Sequence, residues 1–141
     1  MVRECVAPWA VALCAGLIAG CGLQVQAPDL FLVTRTGAGQ QQTLLVNSGG
    51  TIRCNGAGAK PLPDKLLLEA RRLTGTLNRD ARRHLHLAPG RGSVYSYRVK
   101  LQSGTITFPD TAGRTHPELA QLELLAVQIL GGPCQELSHS S

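Results

Sequence analysis

The sequence predicts an α+β fold: an antiparallel sheet of about five strands with two helices packed on one face. Short runs in which apolar and polar residues alternate, or that are apolar throughout, are bounded by Gly, Ser and Pro clusters and read as strands. Two longer stretches repeat their apolar residues at helical spacing. The order along the chain is strands, helix, hairpin, helix, which suits a sheet covered by helices better than the strict strand–helix alternation of a parallel sheet.

The first strand is expected over 30–35, from the apolar run Leu30, Phe31, Leu32 and Val33, and the chain turns at Gly37-Ala38-Gly39. Residues 42–47 and 51–54 flank Ser48-Gly49-Gly50, a cluster that supplies positive φ, so they predict a hairpin. Residues 55–61 form a Gly- and Pro-bearing connection. A helix begins near Pro63, whose fixed φ suits a first turn, with Asp64 set to meet the positive end of the dipole. Its core face is Leu66, Ala70, Leu73 and Leu77, and Gly75 within it costs about 1 kcal/mol relative to alanine.

After Pro89-Gly90-Arg91-Gly92 comes the clearest strand, 94–101, in which Tyr95, Tyr97, Val99 and Leu101 alternate with Ser96, Arg98 and Lys100. Ser103-Gly104 reverses the chain into a return strand over 105–108, which ends before Pro109 and Asp110. The last helix is predicted to start with a capping box of Thr115 and Glu118 around Pro117. Its stripe is Leu119, Leu122, Leu125, Ala126, Ile129 and Leu130, and Gly131-Gly132-Pro133 ends it.

Ahead of this domain, residues 1–20 have the three parts of an export signal: Arg3 at the start, an apolar stretch over 6–18, and a small-residue exit at Ala19-Gly20. The stretch is short and carries Pro8, so cleavage is expected rather than a membrane span. Leu17-Ile18-Ala19-Gly20-Cys21 resembles the lipobox of bacterial lipoproteins. That resemblance implies cleavage between Gly20 and Cys21 and a diacylglyceryl group on the Cys21 thiol, anchoring the chain on the extracytoplasmic side of the cell membrane. Two acyl chains hold where one is marginal, at about 0.8 kcal/mol per buried CH₂. Glu4, Cys5 and Cys14 depart from the usual signal composition, and an ordinary secretory signal or a retained anchor helix is the alternative. The expected organisation is a signal at 1–20, a lipidated tether at 21–29, one domain over 30–134 and a polar tail at 135–141.

The five cysteines then divide in a sensible way. Cys5 and Cys14 leave with the signal, Cys21 carries lipid, and Cys54 and Cys134 remain as a pair. In an oxidising compartment that pair predicts a disulfide closing a loop of about 80 residues, the alternative being two buried thiols.

The chain carries 14 Lys and Arg against 9 Asp and Glu. The excess is concentrated between 53 and 100, where only Asp64, Glu69 and Asp80 oppose it. Arg71, Arg72, Arg79, Arg82 and Arg83 are the candidate contact surface, for anionic lipid, an acidic wall polymer or a protein. A solvated helix face is the plain alternative. Arginine so outnumbers lysine that a G+C-rich genome is suggested, and the body resembles the many small actinobacterial lipoproteins without assigned activity.

Chemistry is sparsely signalled. His84 and His86 would share a face only on a strand, and no carboxylate or thiol accompanies them at ligand spacing, so neither metal nor cofactor is expected. His116 reads as a helix-start residue and His139 as part of the tail. Asp110 could be catalytic, but a turn carboxylate bonding its own backbone explains it more simply. The Gly-x-Ser-x-Gly, phosphate-loop and His-Glu-x-x-His signatures are missing, so a non-enzymatic binding or structural module is expected, the alternative being an enzyme with an unrecognised active site whose candidates are His84, His86 and Asp110. Nucleic acid is not an expected partner, since Tyr95 and Tyr97 are needed by the core.

A further resemblance lies in layout. Strand, Gly-Gly turn, helix, then Tyr97-x-Val99 running into Gly104-Thr105-Ile106-Thr107-Phe108-Pro109-Asp110 and a short helix is similar to emfourin-type proteinaceous inhibitors of thermolysin-like metallopeptidases, over roughly residues 30–130. It implies a metallopeptidase as partner. Two longer loops, the lipobox and the Cys54 and Cys134 pair depart from that pattern.

Overall fold

Alternation decides which side of each strand is dry in the computed structural model, which describes residues 29–135. The strands are β1 (Asp29–Gly37), β2 (Gln40–Asn47), β3 (Thr51–Cys54), β4 (Lys60–Pro61), β5 (Tyr95–Leu101) and β6 (Gly104–Pro109). They form one antiparallel sheet in the order β4-β3-β2-β1-β5-β6. Phe31, Val33, Leu44, Val46, Ile52, Val99 and Ile106 all lie buried on one face. Two helices, α1 (Asp64–Arg82) and α2 (Pro117–Gly131), cover that face, giving the expected α+β architecture.

The sheet has six strands, one more than the pattern suggests. The extra one is β4, a two-residue pairing of Lys60 with Ile52 and Pro61 with Thr51 inside the Gly- and Pro-bearing connection. Pro61 has no N–H to give to a ladder, which confines it to a sheet edge. The first turn is also tighter than 37–39. Gly37 pairs with Gln40, and Ala38 and Gly39 alone make the reversal with φ of 51° and 72°. Asp29, expected in the tether, is already the first residue of β1, where its carboxylate accepts from Asn47 Nδ2 at 3.1 Å.

α1 is continuous through Gly75, because that residue lies on the exposed side and nothing packs against it. Pro63 occupies the N-cap and Asp64 the first turn, while Arg79 and Arg82 fall in the last turn, each charge favourable for the dipole. The buried stripe is Leu67, Ala70, Leu73, Leu77 and Ala81. Leu67 thus takes the place the spacing gave to Leu66, which is only partly buried; the Leu67 side chain reaches the β2–β3 turn at Gly50.

In α2 all of Leu119, Leu122, Leu125, Ala126, Ile129 and Leu130 are buried, as expected. The capping box does not form. His116 is the N-cap and makes no side-chain cap, because a 3-10 turn at Ala112–Arg114 runs straight into the helix. That turn takes the Thr115 hydroxyl, which donates to the Ala112 carbonyl at 3.3 Å and lies 2.9 Å from His116 Nδ1.

Cys54 and Cys134 are bonded, with Cα atoms 5.8 Å apart and a sequence separation of 80. The bridge fastens the end of α2 to β3, and Lys60 Nζ adds a hydrogen bond to the Pro133 carbonyl at 3.1 Å. Among the described residues no helix is long and apolar enough to cross a membrane. The export signal, Gly20 and Cys21 of the cleavage site, and His139 lie outside the described residues.

Candidate functional site

Both helices pack on one face, so the other face of the sheet is left open, and antiparallel register sorts its side chains into rows. Thr43, Thr34, Arg98 and Thr107 are successive partners across β2, β1, β5 and β6. The next row is Leu45, Leu32, Lys100 and Thr105, with Arg53 beyond Leu45 on β3. On the other side lie Gln41, Thr36, Ser96 and Pro109. Arg53, Arg98 and Lys100 are exposed, and Asp29 is the only carboxylate on any of the strands.

A wall rises along one edge of this face. After α1, Leu87 N donates to the Thr107 carbonyl at 2.9 Å and Thr107 N to the Leu85 carbonyl at 3.2 Å, which lays residues 85–87 beside β6. His86 Nδ1 meets the Thr107 hydroxyl. Together with Leu87 and Pro89 this segment encloses a groove of about 680 Å³ over the Thr34, Ser96 and Arg98 rows. Its volume is in the range of ligand clefts.

A second recess, of about 500 Å³, lies on the helix side, where β1, β5 and the Asp110 turn meet α2. The Arg35 guanidinium stands 3.7 Å above the Tyr95 ring, and Nη1 donates to Gln42 Oε1 at 3.1 Å. Tyr97 stacks on Phe108 with ring centres 5.1 Å apart. Burial pushes the Tyr97 phenol up despite Arg35 nearby. Burial, with the charge of Asp110 adding to it and Arg35 opposing, pushes the Glu123 carboxyl up to about 7. Glu123 Oε1 and Arg35 Nε are buried with no hydrogen-bond partner. Burial would also raise Asp110, but donors outweigh it. The N–H groups of Tyr95 (3.0 Å) and Val94 (3.1 Å) hold this carboxyl below its usual range. Leu124 and Val127 form an exposed apolar rim.

The sequence-derived candidates fall apart in space. His86 lines the groove on the open face, whereas Asp110 belongs to the recess on the helix side. His84 takes the left-handed residue after α1, at φ 56°, and is exposed. Asp110 bonds the backbone of β5 across the hairpin base, a longer reach than the local turn expected of it. Among the described residues no group of three or more His, Cys, Asp or Glu is placed to hold a metal ion.

The α1 arginines are exposed but much occupied by their own chain. Arg71 donates to the Ser48 carbonyl at 2.6 Å, Arg72 pairs with Glu69 at 2.6 Å, Arg79 reaches Thr76 and Arg82 reaches Ser103. Arg83 is exposed at the C-cap.

Sequence reading singled out neither Arg98 and Lys100 as a site nor Arg35 and Glu123 as a pair. Their signals were parity and position. Arg98 and Lys100 alternate with the buried Tyr97 and Val99, Arg35 continues the core parity of Phe31 and Val33, and Glu123 sits inside the apolar stripe between Leu119 and Ala126.

The geometry defines a helix-backed antiparallel-sheet domain with one polar, cation-bearing face left open. Comparison of the chain with protein-family models, with curated proteins and with solved structures gave no match.

Proposed function

We propose that the chain is a lipoprotein anchored through Cys21 on the extracytoplasmic side of the membrane, and that its domain is a non-enzymatic binding module working through the open face of the sheet. The anchor reading is supported by Leu17-Ile18-Ala19-Gly20-Cys21 at the end of an apolar leader. The observation that carries the binding reading is the walled groove on a sheet face rich in hydroxyls and cations, with Arg98 at its floor. Such a face lowers no barrier by itself, since it offers no paired acid and base or activated nucleophile. It offers hydrogen-bond donors and positive charge instead.

Two experiments test this. Mass spectrometry of the membrane fraction is expected to find an N-terminus at a diacylglyceryl Cys21; another N-terminus, or full membrane retention of Cys21→Ser, removes the anchor. A photo-crosslinking residue at Ser96, on the groove floor, is expected to give a covalent adduct in intact cells. No adduct there removes the binding face.

A second reading, inhibition of a secreted metallopeptidase, is favoured by the observed order of strands, helix, hairpin and helix over the described residues. A panel of thermolysin-like peptidases unaffected by the domain ends it.

A further inference from the structure

We propose that the groove on the open sheet face binds a linear phosphate-bearing polyanion lying across β1, β5 and β6. This rests on the reading of the domain as a binding module and names its ligand class.

Charge complementarity carries the inference. Within the six strands Asp29 is the sole carboxylate, and it stands at the very start of β1. The open face therefore carries Arg53, Arg98 and Lys100 with no strand carboxylate among them. Arg98 and Lys100 are two residues apart on one side of β5, about 6.7 Å, so neighbouring anionic groups of one extended chain can meet both. Arg53 lies in the Lys100 row, across β2 and β1, about 14 Å further on. Such a line of cations fits a polymer better than a single small anion.

The neighbours of Arg98 select phosphate. Thr34 and Thr107 are its partners on either side, and the Thr107 hydroxyl also meets His86 Nδ1, so the guanidinium is flanked by the Thr34 hydroxyl on one strand and by a Thr107–His86 pair on the other. The guanidinium fork takes lone pairs in one plane, and a carboxylate keeps its remaining ones in that same plane, whereas a tetrahedral phosphate directs acceptor oxygens out of it, toward hydroxyls on the flanking strands. Thr36 and Ser96 extend the hydroxyl lining along the groove.

A folded protein is a poorer fit, because interfaces are anchored by buried apolar side chains. The open face offers only two half-buried leucines, Leu32 and Leu45, between Arg53 and Lys100, while the large hydrophobics exposed on the described surface, Leu68, Val94, Leu124 and Val127, lie off its strand positions. A flat lipid bilayer fits poorly too, because the groove floor at Thr34, Ser96 and Arg98 lies behind the wall made by His86, Leu87 and Pro89.

The test titrates the chain from residue 22 onward, which contains the whole sheet, both helices and the disulfide, with inorganic polyphosphate at low and physiological salt. Poly-L-glutamate and phosphatidylglycerol vesicles are run beside it. Saturable binding of polyphosphate is expected, falling steeply with salt. The Arg98→Gln, Lys100→Gln double variant should weaken it at least about tenfold, and the charge-matched Arg71→Gln, Arg79→Gln variant by less than about twofold. Circular dichroism establishes that both variants are folded. Equal losses from the two variants show charge attraction without a site and overturn the proposal, as does tighter binding of poly-L-glutamate or of the vesicles. An absence of polyphosphate binding alongside a Ser96 adduct in cells overturns the polyanion and leaves the binding module standing, whereas absence of both overturns both.

Discussion

The Arg35 guanidinium lies 3.7 Å above the ring of Tyr95, at a β1 position whose parity belongs to the core. Opposite Tyr97 in register and bonded to Gln42, it closes one end of the dry face with a charge. Glu123 of α2 shares that recess but makes no ion pair with Arg35 within 4.0 Å, so its carboxyl is better off protonated.

Stability should therefore depend on pH through Glu123. Its folded value of about 7 lies above the ordinary 4.5, so between those limits the folded state holds a proton that the unfolded chain has lost. The unfolded state binds fewer protons there, and stability falls as pH rises through the window. Glu123→Gln is expected to raise the melting temperature at pH 8, by roughly 1 kcal/mol of stability after allowance for solvent screening, or several degrees. At pH 4 the difference should vanish. Thermal melts at both values decide it, and an equal shift at both would point to packing instead.

Asp110 works in the opposite sense. Its carboxylate accepts from the Val94 and Tyr95 N–H groups and is held below the usual range, so its contribution is present above that range and lost as pH falls through the folded value. Asp110→Ala should cost about 1–3 kcal/mol at pH 7 by leaving those donors to water or unpaired. Urea unfolding at pH 7 and in acid is expected to show the gap narrowing in acid.

The disulfide should be the largest single constraint. Closing a span of 80 residues between Cys54 and Cys134 restricts the unfolded chain by roughly 4 kcal/mol in the loop-entropy account. The Cys54→Ser, Cys134→Ser double variant is expected to lose about that much in denaturant unfolding, with reductant reproducing the loss in the wild-type chain and leaving the variant unmoved.

Ala38 is a local misfit. It takes φ 51° in a two-residue hairpin turn with Gly39 at 72°, a geometry that favours Asn before Gly. Ala38→Asn should stabilise by about 0.5–1 kcal/mol, measured as a raised denaturation midpoint at constant slope.

Much of the scaffold was legible because period-two and helical spacing act locally. The alternation from Tyr95 to Leu101 placed β5, and Leu119 through Leu130 placed the buried side of α2. Cys54 and Cys134 were readable as a pair on the expectation that Cys5, Cys14 and Cys21 belong to a signal and its lipidation site. What failed depends on competition for a partner or on distant chain. The Thr115 hydroxyl is spent on Ala112, which no spacing rule anticipates, and β4 exists only because β3 offers it a free edge. The groove was illegible for a related reason. Thr34, Arg98 and Thr107 become one row only when β5 crosses back beside β1, whereas the α1 arginines, adjacent in sequence, drew notice and turn out to be tied to Ser48, Glu69, Thr76 and Ser103.

The most direct measurement is lysine footprinting in intact cells against the purified chain, comparing Lys100 on the open face with Lys65 on α1, both exposed. Acetylation read by mass spectrometry should label both residues in the purified chain. In cells the proposed binding at the open face should protect Lys100 and leave Lys65 labelled as before. Equal labelling of Lys100 in both settings, or protection of Lys65 alone, would contradict the account and return the contact to the basic helix.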